Sequence, residues 1–485
     1  HRVVPVGPVS SPDTHGGERV RLLTLEEALD WSAVDYLEAY RRHVNPGLHR
    51  IYRSLGMNEL DVVRAQGTKL HLRGGRVITD FTSAGGILNL GHNHPRIVAA
   101  ERRCLDNQVV DALKIAPHRL QAALAENLAR LLPGPLGTAF FAVSGAEANE
   151  AAMKLCERAQ PGRTRFITTE GGYHGKTHGA LSVTRSEDFA DGFLVGLPAD
   201  AVTTVPYGNA GAVETALMGG DGEVIAMILE PVQGQGLLVP PAGYVADVVR
   251  ICHDHGALVI ADEVKVGLGR LGSLFGFQRD GAVPDVVTIS KALGGGRRAM
   301  AAMVTSEELF VRAYGVGRKA ALHSTTFGGL GASCAIAIEA LNVIVDDRLS
   351  ERAAELGAFV REQLDELAAR HGSIVRGIRG VGLFQGIHFD FTPVSSALRK
   401  RKQLAGLKGS LDSLCMVAIV RALVDDHDIV AGFSSSDPDI LQVLPPLVVT
   451  RDELAAFVDA IDVILTRGLR KVVADFAVKN LKELM

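Results

Sequence analysis

The sequence has 485 residues, of which 47% are hydrophobic and 22% are charged, as in an ordinary globular protein large enough for more than one domain. Its formal net charge of −4 argues against a surface that binds nucleic acid or an anionic membrane. It contains no signal peptide, no apolar run of about 18 residues and no C-x-x-C pair, so we predict a cytoplasmic protein without a membrane segment.

The first part of the chain is predicted to form an arm, two short helices and a β-meander. Frequent prolines and glycines up to about residue 20 indicate an irregular arm. Helical spacing then covers 24–29 and 34–40, and Asn45-Pro46-Gly47 is expected to end this helical unit. Short apolar segments separated by glycine turns predict a small meander between residues 61 and 81.

A glycine-rich loop at 82–95 carries His92 and His94 and leads into a helix. In an extended chain these two side chains point to opposite sides, and no cluster of carboxylates accompanies them. We therefore predict no metal site and expect the backbone to satisfy a loop histidine.

From about residue 120 the sequence alternates between helices and nearly continuous apolar strands. This alternation is typical of a mostly parallel sheet that is covered on both faces. After a long helix near 331–346, the pattern changes to an α+β lobe that closes with a helix over 451–469. We therefore predict an α/β fold with a mostly parallel central sheet and a smaller α+β domain built from both chain ends. The strands predicted for the central sheet are 139–143, 165–168, 224–229, 257–261, 286–289 and 301–304.

Four consecutive segments make up the predicted domain organisation. They are an N-terminal arm and helix (1–55), the N-terminal part of the small domain (56–105), a large domain (106–345) and the C-terminal part of the small domain (346–485). The polar, basic stretch 395–411 within the last segment predicts a solvated insertion.

Lys291 follows the predicted strand 286–289 and precedes three consecutive glycines. Such glycines indicate a turn whose backbone comes close to a ligand, and the ends of buried strands are where α/β sheets bind ligands. An amine at this place could form a Schiff base with a carbonyl. Taken alone, the segment is explained more simply as a lysine that caps a strand end; the other motifs favour the chemical role.

Ser144-Gly145-Ala146 opens a helix directly after the strand 139–143. Small residues at the positive end of a helix dipole can close around an anion, although a simple N-cap by Ser144 is the alternative. A phosphate here and an amine at Lys291 together describe pyridoxal 5′-phosphate, a phosphorylated aldehyde.

Asp262 follows the buried strand 257–261 and needs a partner there. The protonated pyridine nitrogen of the same cofactor is one candidate, and Mg²⁺ or a strand-end cap are the alternatives. After strand 165–168, glycines hold Tyr173 at the sheet edge, where it could stack on a flat ring or be an ordinary, partly buried tyrosine.

In the order of these motifs, from about residue 55 to 470, the sequence resembles the class III pyridoxal-phosphate aminotransferases of fold type I. The resemblance implies that Lys291 forms the Schiff base with the cofactor, that Asp262 pairs with its ring nitrogen and that Tyr173 stacks on the ring. The matching segments are Ser144–Glu150, Tyr173-His174-Gly175, Leu229–Gly234, Asp262-Glu263-Val264, Gly267–Arg270, Ser290–Gly296 and His323–Gly329.

The resemblance also implies roles for residues around the cofactor. Gly145 and Ala146 hold the phosphate, and Ser144, His174 and Val264 belong to the cofactor site. Glu230 lies on the substrate side, unless it is only a strand-end carboxylate bound to backbone. Thr326 reaches the phosphate of the neighbouring subunit, which implies a homodimer with shared sites.

The implied activity is the transfer of an amino group between a small-molecule amine donor and an aldehyde or keto acceptor, in two half-reactions with ping-pong kinetics. An aminomutase or epimerase that acts within one substrate is the alternative, because the same lysine serves both. A non-catalytic DNA-binding regulator is disfavoured, since the N-terminal arm is short and not basic.

Two positions depart from the family. Lys265 stands where the family usually has a glutamine that donates to the phenolic oxygen of the cofactor. An inward Lys265 would stabilise that oxygen by a charge-assisted bond, and an outward one would be a surface lysine. Gln442 stands where many members have an arginine that grips the α-carboxylate. We therefore predict an amine without a gripped α-carboxylate, with Arg297 or Arg298 accommodating a donor such as glutamate.

The composition favours specialised, antibiotic-type metabolism, in which related enzymes act on polyamines, ω-amino acids or sugar aldehydes. The 13 lysines against 38 arginines indicate a GC-rich genome, and the stretch 395–411 departs from the compact family pattern.

Overall fold

The computed structural model describes residues 21–185, 187–219, 223–315, 317–394, 410–433 and 437–484. The predicted arm up to residue 20 and most of the predicted insertion at 395–411 lie outside these residues. The described chain divides into two units, one ending at Asp61 and one beginning at Val62. The domain boundaries predicted at 105 and 345 stay predictions.

The first unit is helical. It contains α1 (Leu25–Leu29), α2 (Ala33–His43), α3 (Pro46–Ser54) and a 3₁₀-helix at Met57–Glu59. The expectation that Asn45-Pro46-Gly47 ends this unit is wrong. Asn45 caps α3, because its Oδ1 accepts from the N–H of Leu48 at 2.9 Å, and Pro46 occupies the first helical position, where no N–H is needed.

The second unit contains three sheets, joined by helices. Its strands are β1 (Val62–Gln66), β2 (Lys69–Leu72), β3 (Val77–Asp80), β4 (Leu136–Ala142), β5 (Arg165–Thr169), β6 (Val202–Val205), β7 (Val224–Leu229), β8 (Leu258–Asp262), β9 (Val286–Ile289), β10 (Ala301–Ser306), β11 (Val375–Val381), β12 (Phe384–Phe389), β13 (Ile429–Val430), β14 (Gly432–Phe433) and β15 (Ile440–Val443).

The helices of this unit lie mostly between these strands. They are α4 (Ser83–Gly86), α5 (Pro95–Asp106), α6 (Arg119–Leu131), α7 (Gly145–Ala159), α8 (His178–Val183), α9 (Glu187–Ala190), α10 (Ala210–Met218), α11 (Tyr244–Asp254), α12 (Glu307–Tyr314), α13 (Gly331–Asp346), α14 (Leu349–Arg370), α15 (Ser410–His427), α16 (Arg451–Thr466) and α17 (Leu469–Leu484). Short 3₁₀-helices lie at Ala199–Ala201, Gly276–Asp280, Lys291–Gly294 and Gly317–Ala321.

The central sheet has the strand order β4-β10-β9-β8-β7-β5-β6. The strands from β9 to β6 are parallel to one another, and β10 is antiparallel to both β4 and β9. Every residue of β7, β8 and β9 is buried, as expected for strands with helices on both faces. The mostly parallel α/β sheet predicted from the sequence is therefore confirmed, while the short β6 was not predicted.

The main core lies between this sheet and α7. The small residues Ala151, Ala152 and Cys156 of α7 let the helix approach the sheet, where they pack in one cluster with Ile228 and Ile260. This packing fixes the start of α7 beside the carboxyl ends of β5, β7, β8 and β9, the edge at which open α/β sheets bind ligands.

Two four-stranded sheets complete the unit. The meander β1-β2-β3 is antiparallel, and β13 from the C-terminal part of the chain pairs with β3 in parallel. The other sheet has the order β11-β12-β15-β14. The predicted closing helix is shorter than expected, since Gly468, with φ +85°, separates α16 from α17. None of the helices in the described residues is both long and apolar enough to cross a membrane.

Candidate active site

A cavity of about 570 Å³ opens at the carboxyl ends of the central strands. It is lined by the loops that follow β4, β5, β7, β8 and β9. All of the predicted catalytic and cofactor-binding residues line it, with the exception of Thr326. They are Ser144, Gly145, Ala146, Tyr173, His174, Glu230, Asp262, Val264, Lys265 and Lys291.

Lys291 is the first residue of the 3₁₀-helix that follows β9. Its φ of +46° lies in the left-handed region, which costs a non-glycine residue on the order of 1–3 kcal/mol. The turn is held because the Ser290 hydroxyl donates to the Met300 carbonyl at 3.0 Å. Burial lowers the pKa of Lys291, an effect that Asp262 and Glu230 oppose. A lowered pKa makes the neutral, nucleophilic amine more available.

Asp262 is the last residue of β8, and its carboxylate is almost fully buried. Its Oδ2 lies 2.8 Å from both the Nδ2 of Asn149 and the Nδ1 of His174, and its Oδ1 accepts from the N–H of Val264 at 3.0 Å. These donors stabilise the ionised carboxylate inside the sheet. Asp262 therefore offers the cavity a carboxyl group in a fixed orientation.

Asn149 also lines the cavity, and the sequence patterns did not single it out. Its Nδ2 also donates to the His174 carbonyl at 2.7 Å, and its Oδ1 accepts from the Thr288 hydroxyl of β9 at 2.7 Å. It thereby ties α7 to β8 and β9 around Asp262. A polar residue on the alanine-rich, buried face of α7 was the available signal.

The start of α7 forms one wall of the cavity. Ser144 caps the helix, as its hydroxyl accepts from the N–H of Glu147 at 3.3 Å. The next N–H groups have no partner within a helix and carry the positive end of its dipole. A Cβ at Gly145 would lie 2.6 Å from the Cγ1 of Val264, so only glycine fits between the helix and this loop. Ser144 can therefore cap α7 while the next N–H groups remain available to bind an anion.

Tyr173 and Glu230 meet on another wall. The N–H groups of Tyr173 and Gly234 donate to Oε1 and Oε2 of Glu230 at 3.0 and 2.8 Å. Burial raises the pKa of Glu230, and burial raises the pKa of Tyr173 as well. The ring of Tyr173 is half-buried and contacts the Phe189 ring edge-on at 5.5 Å between centroids. Glu230 thus binds backbone and lines the cavity at the same time.

Lys265 points into the cavity. Its Nζ donates to the Gly234 carbonyl at 3.0 Å and lies 5.0 Å from the centroid of the buried Phe384 ring. Burial and the charge of Lys291 lower its pKa to about 8, against the opposing effect of Glu230. The site therefore contains two amines.

Two arginines near the cavity are paired with the same acid. Arg297 and Arg298 both form ion pairs with Glu101, at 2.8 Å in the case of Arg298, and Arg298 also lines the cavity. Gln442 lies in β15, where it pairs with Gly386 and Gly432, and it does not belong to the described lining of the cavity.

Two other predicted features lie elsewhere. Thr326 is exposed and lines a separate depression of about 340 Å³ together with Val143 and Glu147. His92 has a side-chain partner rather than the expected backbone one, since its Nε2 lies 2.9 Å from the buried Oδ2 of Asp80.

Known proteins resemble this chain over most of its length. Residues 52–465 match the family model described as aminotransferase class-III. An ornithine aminotransferase from Toxoplasma gondii, described with partial occupancy of PLP at its active site, is 24% identical and shares the fold, with 94% of this chain and 100% of that chain covered at a TM-score of 0.78. An (S)-enantioselective omega-transaminase from Thermomicrobium roseum is 26% identical, with 90% and 99% covered at 0.78. An acetylornithine aminotransferase from Elizabethkingia anophelis is 25% identical, with 90% and 100% covered at 0.72.

Proposed function

Because this chain belongs to the class III aminotransferase family, we propose that the cavity around Lys291 is the active site of a transaminase for amines without a gripped α-carboxylate. The family has the fold type I architecture and uses pyridoxal 5′-phosphate. The observation that carries the proposal is the convergence of Lys291, Asp262 and the start of α7 on one cavity.

The residues present fit this cofactor. Asp262, charged and buried at the end of β8, would bind the protonated ring nitrogen. The N–H groups at the start of α7, beside Ser144, Gly145 and Ala146, would bind the phosphate, which matches the tight packing that excludes a Cβ at Gly145. His174 and Val264 position Asp262, and Tyr173 would cover the ring.

The bound cofactor supplies an electron sink for a carbanion at the amine-bearing carbon. Lys291 would hold the cofactor, and its Nζ would be the base that removes a proton from the amine-bearing carbon and the acid that returns one. Asp262 would keep the ring nitrogen protonated. The donor would give up its amino group in a first half-reaction, the bound cofactor would carry that group, and a carbonyl substrate would receive it in a second half-reaction, which predicts ping-pong kinetics.

The proposed substrate class rests on the charges around the cavity. Gln442 supplies no cation there, and Arg298 is already paired with Glu101. Glu230 presents a buried carboxylate, which favours a substrate with a cationic or hydroxylated tail over an anionic one. Among the named relatives, the omega-transaminase agrees best with this class.

We further propose a homodimer, a cytoplasmic location and a place in specialised metabolism. Thr326 is exposed and lines one depression together with Val143, which precedes the residues that would bind the phosphate. This position supports a role for the loop around Thr326 in the active site of a second subunit. The arginine-rich composition supports specialised metabolism only indirectly.

A panel of amines tests the proposal. The protein loaded with pyridoxal phosphate is mixed with polyamines, ω-amino acids and amino sugars, and the visible absorbance of the cofactor is followed. Conversion by at least one such amine, faster than by α-amino acids, is expected, and Lys291→Ala should abolish it. If no amine changes the absorbance, the transaminase proposal is wrong; if only α-amino acids do, the substrate class is wrong.

A further inference from the structure

A second cavity of about 940 Å³ lies between β1, the loop before α5, and α5 itself. Its volume is within the range of sites that bind small molecules. None of its described lining residues belongs to the lining of the active-site cavity. The charged residues of its lining are Arg64, Glu101, Arg102, Arg103, Asp106 and Arg297.

Arg297 is fixed between the two sides of this cavity. The Nδ2 of Asn93 donates to the Ala65 carbonyl of β1 at 2.8 Å, and the Oδ1 of Asn93 accepts from the Nη1 of Arg297 at 2.8 Å. On the other side, the Nε of Arg297 donates to the Oε2 of Glu101 in α5 at 3.0 Å. The side chain of Arg297 nevertheless stays 37% exposed. The cavity therefore contains a cation that is positioned before any ligand arrives, which lowers the entropic cost of binding.

The other three arginines of the cavity lack an acidic partner. Within the residues that the structure describes, no ion pair joins Arg64, Arg102 or Arg103 to a carboxylate. Both oxygens of Glu101 are already bound by other arginines, so Asp106 is the one acid of the described lining that remains. The cavity therefore has an excess of positive charge, which favours an anionic ligand.

The number of guanidinium groups indicates which anion fits. A carboxylate offers two oxygens, whereas a phosphate group offers at least three and can accept from several arginines at once. Apolar side chains of α5, among them Val98 and Leu105, line the same cavity and can contact an organic part of a ligand. We propose that the second cavity binds a small molecule that carries phosphate groups, with Arg297 as the fixed contact and the other three arginines around it.

Glu101 connects this cavity to the active site. Its Oε2 is bound by Arg297, and its Oε1 lies 2.8 Å from the Nη2 of Arg298, which lines the active-site cavity. A phosphate at Arg297 competes with Glu101 for that guanidinium, so the carboxylate of Glu101, only 14% exposed, depends more on Arg298. A carboxylate-bearing acceptor at Arg298 would then bind less well, and the two anions oppose each other. This consequence, unlike the site itself, rests on the proposed function.

Calorimetric titration with pyrophosphate and with ATP tests the site. The enzyme is loaded with pyridoxal phosphate, so that its own phosphate site is filled. Both probes are expected to bind, and Arg102→Gln/Arg103→Gln should weaken each about tenfold or more through lost charge-assisted bonds. The matched control, Arg312→Gln/Arg361→Gln, removes the same number of positive charges from α12 and α14 and should bind both probes as the wild type does. Absence of binding, or equal weakening in the two double variants, would overturn the proposal.

The link through Glu101 is tested with two acceptors that differ in a carboxylate. Enzyme loaded with pyridoxamine phosphate is titrated with pyruvate or propanal, and the cofactor absorbance is followed with and without pyrophosphate. Pyrophosphate should raise the half-saturating concentration of pyruvate about fivefold or more and leave that of propanal unchanged, and Glu101→Gln should remove the difference. Equal effects on both acceptors would show that the link is wrong. If neither acceptor changes the absorbance, the proposed function fails and the link with it, while calorimetry still decides the site.

Discussion

The Nδ1 of His174 lies 2.8 Å from the Oδ2 of Asp262, and the two side chains are only 0% and 4% exposed. The same oxygen accepts from Asn149, while the second oxygen accepts from the Val264 N–H. The carboxylate that would face the cofactor ring is therefore held from three directions. Its orientation depends on groups from α7, from the loop after β5 and from the loop after β8.

Removing the histidine should weaken the hold on Asp262. For His174→Leu we expect kcat/KM to fall about 10- to 100-fold, because a buried carboxylate that loses one donor costs roughly 1–3 kcal/mol. His174→Gln retains an N–H donor and should recover part of this loss. Steady-state kinetics and cofactor titration measure both variants, and equal losses in the two would contradict a hydrogen-bonding role.

The close packing of Gly145 predicts that a larger residue at this position weakens the binding of pyridoxal phosphate at the start of α7. Gly145→Ala places a Cβ 2.6 Å from Val264, so α7 or the loop must shift, and we expect the affinity for pyridoxal phosphate to fall about tenfold or more. The control is Gly211→Ala in α10, where the nearest atom to a Cβ lies at 3.5 Å. Adding Val264→Ala to Gly145→Ala should restore part of the affinity; a double variant as weak as the single one would exclude the clash.

The left-handed backbone conformation of Lys291 should affect the free energy of unfolding of variants at this position. Glycine adopts this region without a Cβ penalty, so Lys291→Gly should be more stable to urea than Lys291→Ala by about 1 kcal/mol. The usual order in ordinary backbone is the reverse. The free energies of unfolding of the two cofactor-free variants decide the matter, and a more stable alanine variant would show that the backbone is not strained.

Lys265 should make the free energy of unfolding of the cofactor-free protein depend on pH in the alkaline range. Its pKa of about 8 lies below the ordinary 10.5, so the unfolded chain binds more protons between these values. Stability should therefore rise with pH across this window, by on the order of 2–3 kcal/mol, and the full penalty should be present below pH 8. In Lys265→Gln this rise should be smaller by that amount, because Lys291, whose pKa is also lowered by burial, still contributes. Urea titrations of both proteins across the window give the difference, and parallel curves would contradict a buried, shifted amine.

We propose that Thr326 contributes to the active site of the neighbouring subunit. Two different variants should then complement each other in a mixed dimer. Mixed dimers of Lys291→Ala with Thr326→Val chains would contain one site with both defects and one site with neither. We expect that the intact site works at the wild-type rate, whereas Thr326→Val alone should bind cofactor about tenfold more weakly through a lost hydrogen bond to a charged group. If Thr326 served its own chain, the mixed dimer would show only the activity of Thr326→Val.

The sequence alone determined the places where chemistry is possible. Lys291, Asp262 and the Ser144–Ala146 turn each stand at the end of an apolar strand, and a short pattern reveals such a strand end. Parallel strands bring their carboxyl ends to one edge, so these residues could be expected to meet without any knowledge of longer-range packing. The central sheet was predictable for the same reason.

Only the tertiary structure decided the directions of the side chains. Lys265 points into the cavity because Gly234 leaves space and offers a carbonyl, and Asn149 reaches Asp262 because α7 packs closely on the sheet. The position of Gln442, away from the cavity wall, likewise depends on the pairing of β15 with β12 and β14. These contacts join residues that are distant in the chain, and local propensity carries no information about which partner a loop side chain will find.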